Sequence, residues 1–260
     1  MKFSANLGFL WADLPLTEAI HAAKAAGFDA VECHWPYDTS PDDVTKALAK
    51  TGLPMLGLNT CRGDVDAGEN GLAAVVGREA QARDLIDEAV RYAAAIGALN
   101  VHVMAGYASG SEAHATFLAN LTYASAKAAE HNLSILIEPL NHYDAPGYFL
   151  TTTTQAAQII KAVGASNLRL MFDCYHVQLM EGDLTHRIRD LKPIIGHIQF
   201  ASVPDRGTPD HGEVNYADVF AEIEKTGWDQ PIGAEYKPNG PTPETLDWLK
   251  DHRLTGRVTS

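Results

Sequence analysis

Ser134-Ile-Leu-Ile-Glu138, Leu168-Arg-Leu-Met-Phe-Asp173, Ile194-Ile-Gly-His-Ile-Gln199 and Pro231-Ile-Gly-Ala-Glu235 are four short runs of one design. Each is mostly apolar, as parallel strands covered on both faces must be, and each ends on a side chain with a metal-competent oxygen. Working outward, four more runs read as strands: Lys2–Asn6, Ala30–Cys33, Pro54–Asn59 and Asn100–Met104. Helical stretches fill the gaps. Pro15–Ala26 stops at Gly27, Asp42–Thr51 at Gly52, Arg78–Ile96 at Gly97, Gln155–Val163 at Gly164 and Tyr216–Thr226 at Gly227. A glycine just past the last periodic residue is the usual left-handed helix stop. Ser40 before Pro41, Thr152 before Gln155 and Thr242 before Pro243 mark helix starts. Ser111–His131, Leu184–Leu191 and Thr242–Leu254 supply three further helices.

Eight strands, each followed by a helix, predict a closed (β/α)8 barrel occupying residues 1–260 as one domain. A doubly wound sheet is the alternative, but no G-x-G-x-x-G turn follows the first strand.

Composition narrows the function classes. The 260 residues are 46% hydrophobic and carry a formal net charge of −13, with a pI near 5.2. Nucleic-acid binders present a basic face, and this balance argues against one. No run approaches the ~18 apolar residues of a spanning helix, so no membrane role is expected. Asn6 and Asp13 interrupt the apolar N-terminus, which reads as a first strand rather than a signal peptide. Cys33, Cys61 and Cys174 are odd in number and widely spaced, a pattern that suits a reducing cytoplasm.

In such barrels chemistry sits at the C-terminal ends of the strands. Glu138, Asp173, Gln199 and Glu235 end four consecutive strands and are therefore placed to converge. Three carboxylates in a low-dielectric pocket repel unless a cation sits among them. All-oxygen ligands favour a hard ion, Mg²⁺ or Mn²⁺. Taken singly, each acid could instead be a strand-end residue meeting solvent. A rival metal reading uses histidines, since His34, His102, His142, His176, His197 and His211 all lie at or near strand ends. His197, two residues before Gln199, should share its face one layer deeper, as a core or supporting histidine. His176, on the loop above Asp173, is read as a substrate contact or as a residue orienting Asp173. His34 and His102 are pocket-lining candidates.

The segment Asn59–Arg78 is long and glycine-rich, and reads as a lid over the barrel rim. The stretch after the seventh strand places Arg206 near the metal, where a guanidinium can clamp a substrate carboxylate. Lys237 is a second cationic candidate.

Ala67-Gly-Glu-Asn-Gly-Leu, Val76-Gly-Arg-Glu, Ile137-Glu-Pro-Leu-Asn-His-Tyr-Asp, Asp173-Cys-Tyr-His-Val-Gln and Gly212-Glu-Val-Asn-Tyr together resemble the hydroxypyruvate isomerase family of xylose-isomerase-like barrels. The resemblance runs from Phe3-Ser-Ala-Asn to Glu235-Tyr-Lys-Pro. It implies that Glu138, Asp173, Gln199 and Glu235 bind one divalent ion and that Glu138 and Glu235 serve as an acid/base pair. The ketose 3-epimerases, broader relatives, have a histidine where Gln199 stands. That departure favours the isomerase branch. Enzymes isomerising 2-oxo-tetronate resemble the chain almost as closely. The implied reaction interconverts hydroxypyruvate and tartronate semialdehyde, with a small keto/hydroxy acid as substrate and no organic cofactor. Remoter readings are a ketose 3-epimerase, a metal-dependent endonuclease and a sugar-acid binder without catalysis. A homo-oligomer is compatible with the alanine-rich helices.

Overall fold

A computed structural model describes residues 1–250. Strands and helices alternate in the order β1 Phe3–Asn6, α1 Leu16–Ala26, β2 Ala30–Glu32, α2 Pro41–Thr51, β3 Gly57–Asn59, α3 Glu79–Ile96, β4 Asn100–His102, α4 Gly110–Ala129 and β5 Ser134–Ile137. The second half continues with α5 Thr153–Val163, β6 Leu168–Asp173, α6 Cys174–Met180, α7 Leu184–Leu191, β7 Ile195–Phe200, α8 Tyr216–Lys225 and β8 Ile232–Ala234.

All eight strands are parallel, in the order β2-β1-β8-β7-β6-β5-β4-β3. The two ends of that order meet. Val31 N–H donates to the Pro54 carbonyl at 3.0 Å, and Leu56 N–H returns to the Val31 carbonyl at 2.7 Å. The sheet is thereby closed into the expected barrel, and no strand edge is left open.

Alternation along each strand decides what the barrel holds. Outward positions such as Phe3, Ala5, Val31, Ile135, Ile137, Ile198 and Phe200 are buried against the helices. Phe3 and Phe200 stack edge-on with Phe220 of α8 and with Trp248, at centroid distances of 5.0–5.8 Å. The inward faces are polar and buried: Asn6, Glu32, His102, Glu138, Asp173, His197, Gln199 and Glu235. A barrel this polar at its mouth is built around something other than apolar packing.

Helix ends follow the local rules. Ser40 caps α2 by accepting from the Asp43 N–H, and Thr152 caps α5 through Gln155 N–H. Helix α3 stops at Gly97, whose φ of 68° is a left-handed turn that glycine adopts without Cβ strain. The residues after β6 depart from expectation: they form a short helix, α6, where a loop is expected. Asp173 is its cap, accepting the Tyr175 N–H at 2.9 Å. Of the expected helix Thr242–Leu254, residues Thr242–Thr245 form a 3-10 turn, and the part from 251 lies outside the described residues. Among the described residues no helix is long and apolar enough to cross a membrane.

Candidate active site

The rim acids converge as the barrel requires. Glu138, Asp173, His176 and Glu235 each present a ligand atom within 4.8 Å of one another, all buried. Gln199 joins them through register, since Asp173 pairs with Gln199 between β6 and β7. Three of these side chains carry a buried oxygen with no hydrogen-bond partner: Glu138 Oε1, Asp173 Oδ2 and Gln199 Oε1. Buried oxygens without a hydrogen bond are costly, and those of Glu138 and Asp173, beside Glu235, fit a cation.

Each side chain is oriented from behind. Glu235 Oε1 accepts from Asn6 Nδ2 at 2.8 Å and meets His34 Nε2 at 3.1 Å, while Oε2 accepts from Arg206 Nη2 at 2.5 Å. Gln199 Nε2 donates to Glu32 Oε1 at 3.2 Å, so its other amide atom, Oε1, is the one left free. Glu32 also pairs with His197 Nε2. His197 thus supports the site one layer down, as the strand period implies. His176 Nδ1 accepts the Asn141 backbone N–H at 3.0 Å. The hydrogen of that neutral ring therefore lies on Nε2, 3.5 Å from Asp173 Oδ2 and 3.9 Å from Glu138 Oε1. That tautomer is a donor into the site rather than a metal ligand.

Arg206 is the cation of the cluster. Its backbone has a φ of 56°, a left-handed geometry that a non-glycine residue adopts at a cost. The guanidinium lies between the rings of Phe9 and Tyr175, 4.9 Å from each centroid. It also reaches Asp144 Oδ2 at 3.5 Å and Asp173 Oδ2 at 3.6 Å, besides Glu235.

Burial and mutual repulsion split the acids. Burial, then the charges of Glu235 and Asp173, push Glu138 well above the carboxylate range. Burial and Glu235 push Asp173 up to about 8. Burial alone would raise Glu235 too, but Arg206 and His34 outweigh it and hold that carboxyl well below its usual value. Burial and Arg206 push His176 down to about 3, and burial pushes His102 down to about 4, so both rings are neutral.

A cavity of about 180 Å³ opens over the cluster, lined among others by Phe9, Trp35, Asn70, His102 and Arg206. That is below the ~300–1,000 Å³ of drug-sized pockets and suits a very small substrate. A larger hollow of about 570 Å³ lies between Arg189, Lys192, Glu222 and Lys225, and it holds none of the converging oxygens.

Of the expected site residues, Glu138, Asp173, Gln199, Glu235, His176 and Arg206 are brought together. Lys237 is not: its side chain is exposed and lines a different cavity with Asp205 and His211. His176 sits in the first turn of α6, not on a loop. The segment after β3 folds across the mouth, where Gly71 bridges Ala105 and Asn70 faces the cavity. Sequence reasoning missed Glu32, Asn6 and Asn141. Glu32 was within reach of the same argument, because it too is an acid ending an apolar strand.

Residues 20–252 match the family model described as xylose isomerase-like TIM barrel. The 2-oxo-tetronate isomerase of Cupriavidus necator is 42% identical, the alignment covering 96% of this chain and 98% of that protein. The hydroxypyruvate isomerase of Escherichia coli K12 is 38% identical over 97% of this chain and 100% of its own length. A crystal structure from Brucella melitensis, described as AP endonuclease, family 2, superposes with a TM-score of 0.93 at 38% identity, covering 96% of this chain and 98% of that one.

Proposed function

The chain belongs to the xylose isomerase-like TIM-barrel family, and from that premise we propose that it is a metal-dependent aldose–ketose-type isomerase interconverting hydroxypyruvate and tartronate semialdehyde. The observation that carries this reading is the meeting of Glu138, Asp173 and Glu235 within 4.8 Å, with Gln199 beside Asp173 in strand register and a cavity of about 180 Å³ over Glu138 and Glu235. Isomerisation of a four-carbon 2-oxo-tetronate is the second reading, favoured by the 42% identical relative of that name.

Glu138, Asp173, Gln199 and Glu235 would hold one divalent ion, and their all-oxygen donor set suits Mg²⁺ or Mn²⁺. Bound there, such an ion polarises a ketone and lowers the cost of removing a proton from the adjacent carbon. One of the two glutamates, Glu138 or Glu235, takes the proton from C3, and the other delivers one to C2. Their environments differ, since Arg206 donates a hydrogen bond to Glu235 and acts on Glu138 only through its charge, which is how two like groups divide acid and base roles. The Nε2–H of His176 donates to a substrate oxygen. Arg206 Nε is buried without a partner and supports a role in holding the substrate carboxylate.

The charge of −13 supports a small-molecule substrate over a nucleic-acid partner, whatever the description of the Brucella structure. Three free cysteines support a cytoplasmic setting, and self-association is compatible with the fold.

Purified protein given Mg²⁺ or Mn²⁺ is expected to convert hydroxypyruvate, and a chelator to stop it. Glu138→Gln and Glu235→Gln should each reduce turnover by about 10²–10⁴-fold while the protein still folds. No turnover of either acid would sink the assignment, and full activity in one variant would remove that residue from the mechanism.

A further inference from the structure

Aldose–ketose isomerisation moves two protons, not one. In hydroxypyruvate the C3 hydroxyl becomes the aldehyde oxygen and the C2 ketone becomes a hydroxyl. A hydrogen therefore passes from C3 to C2, and another must leave O3 and reach O2. Glu138 and Glu235 account for the carbon-bound hydrogen under the reading above, and nothing so far accounts for the oxygen-bound one.

Among the cavity's nitrogen groups, few have a free lone pair for that task. Arg206 has none. His176 Nε2 carries a hydrogen, because its Nδ1 accepts the Asn141 N–H. His34 Nε2 is paired with Glu235 Oε1 at 3.1 Å. His102 differs from all of these. Its ring lines the cavity, is buried, and sits beside Glu138. Nδ1 lies 3.3 Å from Asn59 Oδ1, an acceptor that fixes the ring hydrogen on Nδ1, with Glu138 Oε2 3.6 Å away. Nε2 is then a bare lone pair, and it is buried with no partner in the protein.

We infer that His102 Nε2 is the group that carries the oxygen-bound proton, taking it from the C3 hydroxyl and giving it to O2. The inference rests on the proposed isomerase reading and deepens it. The step balances within the substrate. The O3–H bond breaks as Nε2–H forms, and Nε2–H breaks as O2–H forms, while the C3–O3 bond gains double-bond character and the C2 carbonyl loses it. His102 returns to its starting state, and no oxidant or second substrate is needed. An epimerase, which returns a hydrogen to the carbon it came from, has no use for such a group.

The test separates the two proton transfers. Wild type, His102→Asn and His102→Gln are incubated with hydroxypyruvate and Mn²⁺ in D₂O. Deuterium entry at C3 and formation of tartronate semialdehyde are followed together by NMR. His102→Asn keeps an amide near the Nδ1 position and removes Nε2. It is expected to exchange C3 hydrogen within about threefold of wild type while product formation falls about 100-fold, the usual share of a general acid/base group. His102→Gln can put an amide oxygen near the Nε2 position. Its KM should stay near wild type while its kcat falls as far, so binding and proton carriage separate, and its circular dichroism melt checks the fold. Parallel loss of exchange and product, or retention of both, overturns the role of His102. Absence of both signals in the wild type overturns the isomerase reading itself.

Discussion

Among the described residues, Arg206 is the one cation among the buried acids of the mouth, 2.5 Å from Glu235 and 3.6 Å from Asp173. Its backbone holds a left-handed φ of 56° to deliver the guanidinium there. Removing one partner from a buried ion cluster leaves an uncompensated charge, at a cost of about 3–5 kcal/mol. Arg206→Gln should therefore lower unfolding stability by that amount when denaturation is followed in chelator. Added Mn²⁺ should narrow the gap, because a second source of positive charge then serves the same carboxylates. Equal stability of variant and wild type in chelator would mean that Arg206 is not what offsets the repulsion. The acids of this cluster were legible in sequence, since each ends an apolar run. Their supports were not. Asn6, Asn141 and Asp144 are ordinary polar residues whose roles depend on contacts across the barrel, and Glu235 meets Asn6 across 229 positions of chain.

At the scale of strands, Glu32 and Gly233 belong together. A Cβ on Gly233 would stand 2.2 Å from Glu32 Oε1 and 2.9 Å from Gln199 Cγ, so β8 leaves the space that the β2 carboxylate fills. Glu32 cannot simply turn away, because it holds His197 and the Gln199 amide. Gly233→Ala is expected to cost about 1–3 kcal/mol, the range for an overpacked interior. A double-mutant cycle with Glu32→Ala should show a coupling of about 0.5–3 kcal/mol, since the alanine methyl then has room. Additive effects would show that the two do not compete for that space. Element types read well from the sequence because glycine stops and Ser or Thr caps are local signals. Leu168–Asp173 and Leu184–Leu191 have the bounds expected of them. Helix α6 was missed for an equally physical reason: seven residues show too little periodicity, and Asp173 serves both as the last strand residue and as the cap.

The whole molecule sets the field in which the site works. The net charge of −13 would repel the anionic substrate proposed here, yet the mouth gathers Arg206 and, under the metal reading, a divalent cation. These contributions act over different distances. The Debye length is about 30 Å at 0.01 M salt and about 8 Å at 0.15 M, so salt removes the long-range field of the helical surface first. Charges inside the mouth, being buried, are screened much less. The expected result is that kcat/KM for hydroxypyruvate rises about twofold from 0.01 to 0.15 M salt, as repulsion on approach is relieved. The kcat measured at saturation should stay flat, because it reports groups already shielded from solvent. A fall in kcat/KM over that range would mean that the local cations govern approach as well as binding. The acidic surface would then have no part in substrate capture.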